Sequence, residues 1–172
     1  MRQVATQLAP HAARLGDNFH VGINITARHC QDLELVQDCR EFLAAFKPGQ
    51  VLLTLELTER ELIEPTDVTR QLFQALHELG VLIAIDDFGT GHSSLGYLRN
   101  FNVDYLKIDQ SFVAMIGVDA LSRHILDSII ELSGKLDLGI VAEGVETQEQ
   151  CDYLAAQGVD FIGVDRKQFE VS

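Results

Sequence analysis

Short apolar runs alternate with amphipathic stretches along the whole chain, and no other feature constrains its fold as tightly. Runs rich in Val, Ile and Leu begin at Phe19, Val51, Val81, Val103, Gly139 and Val159. Each is too short for a lone helix and suits a strand buried on both faces, as in a parallel sheet. Between them, residues 33–46, 66–79, 110–136 and 147–157 carry helical patterns; Val68, Leu72, Leu76 and Leu79 share one stripe. Strict alternation predicts a parallel sheet with right-handed crossovers. A closed (β/α)₈ barrel needs eight strands and typically ~250 residues. This 172-residue chain offers about six strands. The predicted fold class is therefore α/β, an incomplete (β/α)₈ TIM-type barrel of about six parallel strands with intervening helices.

Local signals sharpen the boundaries. Residues 1–15 read as a helix that Pro10 should kink or break, with Gly16 as its stop. Residues 95–99 suggest a short helix, and Gly117 should interrupt the helix over 110–136. Thr147 and Gln150 have capping-box spacing, and Gly158 should end the helix that follows. The pattern runs out near Gly163, which predicts one domain over 1–163 and a divergent polar tail over 164–172.

The net charge of −13 disfavours a nucleic-acid polymer or an anionic membrane surface as partner. Carboxylates can still gather divalent cations and, through them, a phosphate ligand. Cys30, Cys39 and Cys151 show no CxxC spacing, and an odd count argues for free thiols in a reducing, cytoplasmic setting. No apolar run approaches the ~20 residues of a membrane span.

The chemistry gathers where the runs end. Asn24, Glu56, Asp86, Asp87, Lys107 and Glu143 each fall at the C-terminal end of a predicted strand. Any one could be a solvated terminus, but six at one level would converge on a barrel mouth, where such folds keep their active sites. Four carboxylates and an amide suit hard cations. Carboxylates this close repel unless neutralised, so two divalent ions about 3.5–4 Å apart follow, as in phosphodiester hydrolysis. Adjacent strand residues point to opposite faces, so Asp86 and Asp87 should share a site only if their strand stops there. Gly89-x-Gly91-x-x-Ser94 lacks the third glycine of a dinucleotide fingerprint. Gly91–Gly96 is no nucleophile elbow, and loop-borne His92 stands apart from the other scattered histidines.

Five blocks together resemble the EAL-domain cyclic di-GMP phosphodiesterases. They are Asn24-Ile25-Thr26-Ala27, Glu56-Leu57-Thr58-Glu59, Asp86-Asp87-Phe88-Gly89-Thr90-Gly91, Leu106-Lys107-Ile108-Asp109 and Ala142-Glu143-Gly144-Val145-Glu146. The resemblance implies a barrel with two Mg²⁺ or Mn²⁺ ions that cuts cyclic di-GMP to linear pGpG. It makes Asn24 and Glu56 ligands of one metal, Asp86 the bridging ligand, and Asp87 and Glu143 ligands of the other. Lys107 would hold and polarise the attacking water. Glu59 would brace the loop after Asp87, and Glu146 would support the metal site from behind its ligands. Thr90 to Ser94 would form a mobile loop that, with exposed barrel edges, serves homodimer contacts.

The chain also departs from the pattern. The glutamate-alanine-leucine tripeptide that names the family is absent, and Gly163-Val164-Asp165 stands where a glutamine-glycine-aromatic segment is expected. The expectation is a barrel truncated at both ends, with hydrolysis absent or strongly impaired. The alternative is a non-catalytic remnant that binds nucleotide or protein.

Overall fold

Six parallel strands hydrogen-bond in the order in which the chain makes them. They are β1 (Phe19–Ile25), β2 (Val51–Thr58), β3 (Leu82–Phe88), β4 (Tyr105–Ile108), β5 (Gly139–Val145) and β6 (Phe161–Val164). The helices are α1 (Arg2–Leu8), α2 (Glu34–Leu43), α3 (Asp67–Glu78), α4 (Gln110–Ala114), α5 (Ala120–Lys135) and α6 (Gln148–Ala156). Short 3₁₀ turns cover Ala9–Arg14 and Ala27–Gln31. This computed structural model describes residues 1–14, 16–59, 63–89, 98 and 100–164. The Thr90–Ser94 loop, His92 and the polar tail from Asp165 lie outside the described residues, as does the 95–99 helix except for Leu98.

A parallel sheet with sequential order is the six-strand arc the alternation predicts. The α-helix at the N-terminus stops at Leu8 and passes into a 3₁₀ turn that carries Pro10. The expected interruption falls between α4 and α5, where Gly117 takes a φ of +82°. Thr147 and Gln150 form the capping box at the start of α6. In the run that begins at Val103, β4 spans Tyr105–Ile108, and Asp109 just past its end caps the next helix through the Ser111 amide.

Alternation along each strand sorts the two faces of the sheet. On β2, Val51, Leu53, Leu55 and Leu57 are buried, and Leu72 and Leu76 of α3, fully buried, belong to the same core. Leu52, Thr54, Glu56 and Thr58 are only half-buried and line the other, concave face. On that face Asn24, Glu56, Ala84, Tyr105 and Gly139 stand side by side in register. The polar side chains of the site rise from this row and from the residues just beyond it.

The opposite, N-terminal edge is stitched by two aspartates in equivalent positions. Asp104, just before β4, accepts the Ile83 amide of β3 on Oδ2 at 2.8 Å, and His77 Nε2 lies 3.0 Å from the same oxygen. Asp160, just before β6, accepts the Ile140 amide of β5 on Oδ2 at 2.7 Å. Each returns a backbone bond, from the Asp104 amide to the Ile83 carbonyl and from the Asp160 amide to the Ile140 carbonyl. Alanine at either site leaves a strand amide without its partner, at a cost of about 1–3 kcal/mol. Chemical denaturation is expected to show both losses, the larger for Asp104→Ala because its oxygen also serves His77.

Candidate active site

Asp86 and Asp87 solve their strand problem by a bulge. Between Ile85 and Phe88, β3 advances three residues while β4 advances two, Leu106 to Ile108. Both acids thus oppose Lys107, and the strand continues to Phe88 rather than stopping at Asp86. The expectation that the strand must end there is corrected: an extra residue re-aims the chain just as well. Asp87 takes the left-handed conformation (φ +54°), and its amide donates to Asp86 Oδ1 at 3.0 Å. The same device recurs on β5, which steps from Ala142 to Val145 while β6 steps from Ile162 to Val164. Gly144 supplies the positive φ there, +69°, directly after Glu143.

Glu59 straps the first bulge from the end of β2. Its amide donates to the Asp86 carbonyl at 3.0 Å, and its buried carboxylate Oε2 accepts the Gly89 amide at 2.9 Å. The backbone on both sides of Asp87 is therefore held by one residue.

Three carboxylates meet at Lys107. Its Nζ lies 2.7 Å from Glu56 Oε2, 3.1 Å from Asp86 Oδ1 and 3.0 Å from Glu143 Oε1. The side chains of Lys107, Glu56 and Asp86 are 7%, 15% and 15% exposed, whereas Glu143 is 50% exposed and forms the open side of the cluster. Burial pulls the lysine pKa down. The hydrogen bonds to Glu56 and Glu143 and the charges of Glu56 and Asp86 outweigh it, leaving the pKa above the usual lysine value. The ammonium is therefore charged throughout the physiological range. Below the cluster, a cavity of about 180 Å³ opens between His20, Thr54, Tyr105 and Val141.

The other predicted residues take different places. Asn24 is exposed beside Glu56 in the register of β1 and β2. Glu146 is exposed, and its amide donates to Gln150 Oε1 at 2.8 Å. Asp109 caps α4 through the Ser111 amide and also faces Asp87. Burial, then the charges of Asp86 and Asp109 and a hydrogen bond with Asp109, raise the Asp87 pKa above the usual carboxylate value. Among the described residues, no three His, Cys, Asp or Glu side chains already stand at the spacing of a metal shell. The Glu56, Asp86 and Glu143 carboxylates face the Lys107 ammonium instead.

Two glycines that the sequence reading passed over shape the concave face. Gly22 lies under the Glu56 carboxylate and Gly139 under the Tyr105 ring. The available signal was glycine inside a strand, which marks a bulge or a close approach.

Residues 1–163 match the EAL domain family. The chain belongs to that family. It is 45% identical over 162 residues to the cyclic di-GMP phosphodiesterase PdeL of Escherichia coli, which covers 94% of this chain and 45% of PdeL. Among solved structures, the EAL domain of Mycobacterium smegmatis DcpA superposes with a TM-score of 0.80 at 34% identity, over 91% of this chain and 71% of that one. Klebsiella pneumoniae BlrP1, in complex with manganese and cyclic di-GMP, superposes with a TM-score of 0.76 at 32% identity, over 94% of this chain and 42% of that one. This EAL domain thus spans less than half the length of PdeL and of BlrP1. Its six-strand arc is α/β and TIM-barrel-like, as the sequence predicted. No described helix is long and apolar enough to cross a membrane.

The Asp87 charge works against the fold. A carboxylate whose folded pKa is raised binds its proton more readily when folded, so its charged form disfavours folding above the unfolded-state range, and falling pH relieves the penalty. Asparagine removes the charge and tolerates positive φ. In the presence of EDTA, Asp87→Asn is expected to melt at a higher temperature than wild type, which a thermal melt checks. Asp87→Ala, which puts alanine at positive φ, should gain less or nothing.

Proposed function

We propose that this EAL domain binds divalent metal and cyclic di-GMP at the Lys107 cluster and carries the residues for hydrolysis to linear pGpG. The observation that supports this best is the convergence of three carboxylates, from β2, β3 and β5, on one buried cation at the C-terminal rim. The donor set fits Mg²⁺ or Mn²⁺ by its chemistry, since carboxylate and amide oxygens are the ligands hard cations take. Asn24, Glu56, Asp86, Asp87 and Glu143 would hold the metal, with Asp86 shared between two ions. Bound there, a divalent pair would neutralise the phosphate and supply an activated water.

The chain's own groups have separate tasks in this reading. Lys107 stays charged, and its three donors all face carboxylates; it would hold a water or phosphate oxygen with a donor released when one of those carboxylates turns to metal. Glu59 keeps the Asp86–Asp87 bulge in place through the Gly89 amide. Glu146, exposed beyond Val145, supports the Glu143 segment from outside the carboxylate cluster. The manganese and cyclic di-GMP complex of BlrP1 supports the choice of ligand.

Slow turnover is part of the proposal. A second reading is a binding module without catalysis. Three measurements separate the cases. Calorimetric titration with Mn²⁺ is expected to show binding that Asp86→Ala abolishes; identical curves would remove the metal reading. Hydrolysis of cyclic di-GMP by this chain is expected to stay far below ~1 s⁻¹, the low end of ordinary turnover numbers. Faster turnover, lost in Asp86→Ala, would make the chain a working phosphodiesterase. Binding of cyclic di-GMP in equilibrium dialysis with no product formed would favour the binding module.

A further inference from the structure

We propose that Gly22 is a positioning residue for Glu56: its missing side chain is the space in which the carboxylate lies. The inference rests on the reading of Glu56 as a metal ligand and deepens it. Gly22 sits on the concave face of β1, in register with Thr54 of β2, two residues before Glu56 on the same face. A Cβ built on Gly22 would fall 2.2 Å from Glu56 Oε1 and 2.9 Å from its Cδ. The other carboxylate oxygen, Oε2, is the one that meets Lys107 Nζ at 2.7 Å. The two oxygens belong to one rigid group, so pushing Oε1 off Gly22 draws Oε2 away from the ammonium.

The chemistry of the clash decides what kind of role this is. The three atoms nearest the added Cβ all belong to the end of one flexible side chain. Glu56 can therefore swing aside at little cost to the fold, and glycine itself weakens a strand interior. A methyl group at position 22 leaves the β1–β2 pairing intact and spoils the site. Gly139 under Tyr105 is a related arrangement, but there the ring is bulky and the obstruction falls on packing.

The test uses the full chain and Mn²⁺ alone, by calorimetry, with melting curves alongside. Gly22→Ala is expected to weaken Mn²⁺ binding by about 10–100-fold, the loss typical when a ligand's supporting contacts are disturbed, with the melting temperature unchanged. In a Glu56→Asp background the shorter side chain leaves room for the methyl group, so adding Gly22→Ala should cause no further loss. Equal losses in both backgrounds, or none in either, would overturn the proposal. If wild type and Glu56→Ala titrate alike, the metal reading has failed and the pair itself decides. The ¹⁵N resonance of the Lys107 ammonium should then shift in Gly22→Ala and stay put between Glu56→Asp and the double variant. A resonance that Gly22→Ala does not move would overturn the inference on its own ground.

Discussion

Acidic side chains cannot crowd into a half-buried volume without a countercharge, and here the countercharge is Lys107. At effective dielectric values near 20, two unit charges 4 Å apart interact by about 4 kcal/mol, so three carboxylates without a cation would strain the rim. The ammonium lies within 3.1 Å of all three. Its own burial is tolerated because each neighbour holds it charged, and the rise in its pKa despite desolvation expresses that balance. The rim of the sheet is assembled around this one cation, from strands as far apart in sequence as β2 and β5.

Backbone irregularity does the aiming. A regular strand shows one face every second residue, which would send Asp86 and Asp87 to opposite sides. The bulge in β3 changes that at a single position, and the bulge in β5 falls directly after Glu143. Both occur at the end of the strand where the acids lie, leaving the regular, apolar parts of β3 and β5 to pack against the helices. Glu59 then fixes the first bulge with two backbone bonds, a use of a buried acid distinct from binding a ligand.

The strand–helix alternation made the fold legible from sequence, because buried parallel strands and amphipathic helices leave different periodicities. The polar breaks at Asn24, Glu56, Asp86, Lys107 and Glu143 made the rim legible too. Gly144, a glycine inside β5, is a mark of the second bulge in the residue pattern; the bulge at Asp86 and Asp87 left none, since an extra residue alters register without altering composition. A Gly-containing turn after Asp87 reads equally well as a strand end. Gly22 was overlooked because a glycine's function lies in what its neighbour occupies, and that neighbour, Glu56, is more than thirty residues away. Asp109 caps a helix through Ser111, and the fold also brings it opposite Asp87, a proximity that no local pattern carries.

The two rims of the sheet differ in the reach of their cross-links. At the N-terminal edge, Asp104 closes on Ile83 across 21 residues and Asp160 on Ile140 across 20. At the opposite edge, Lys107 waits on Glu56 across 51 residues. Short loops close at lower entropic cost than long ones, so the β3–β4 and β5–β6 pairs can each be fastened by a local aspartate contact without the rest of the sheet. The acidic rim needs residues from four strands, β2 to β5, at once. The inert edge can therefore close pair by pair, whereas the charged mouth forms only as a whole.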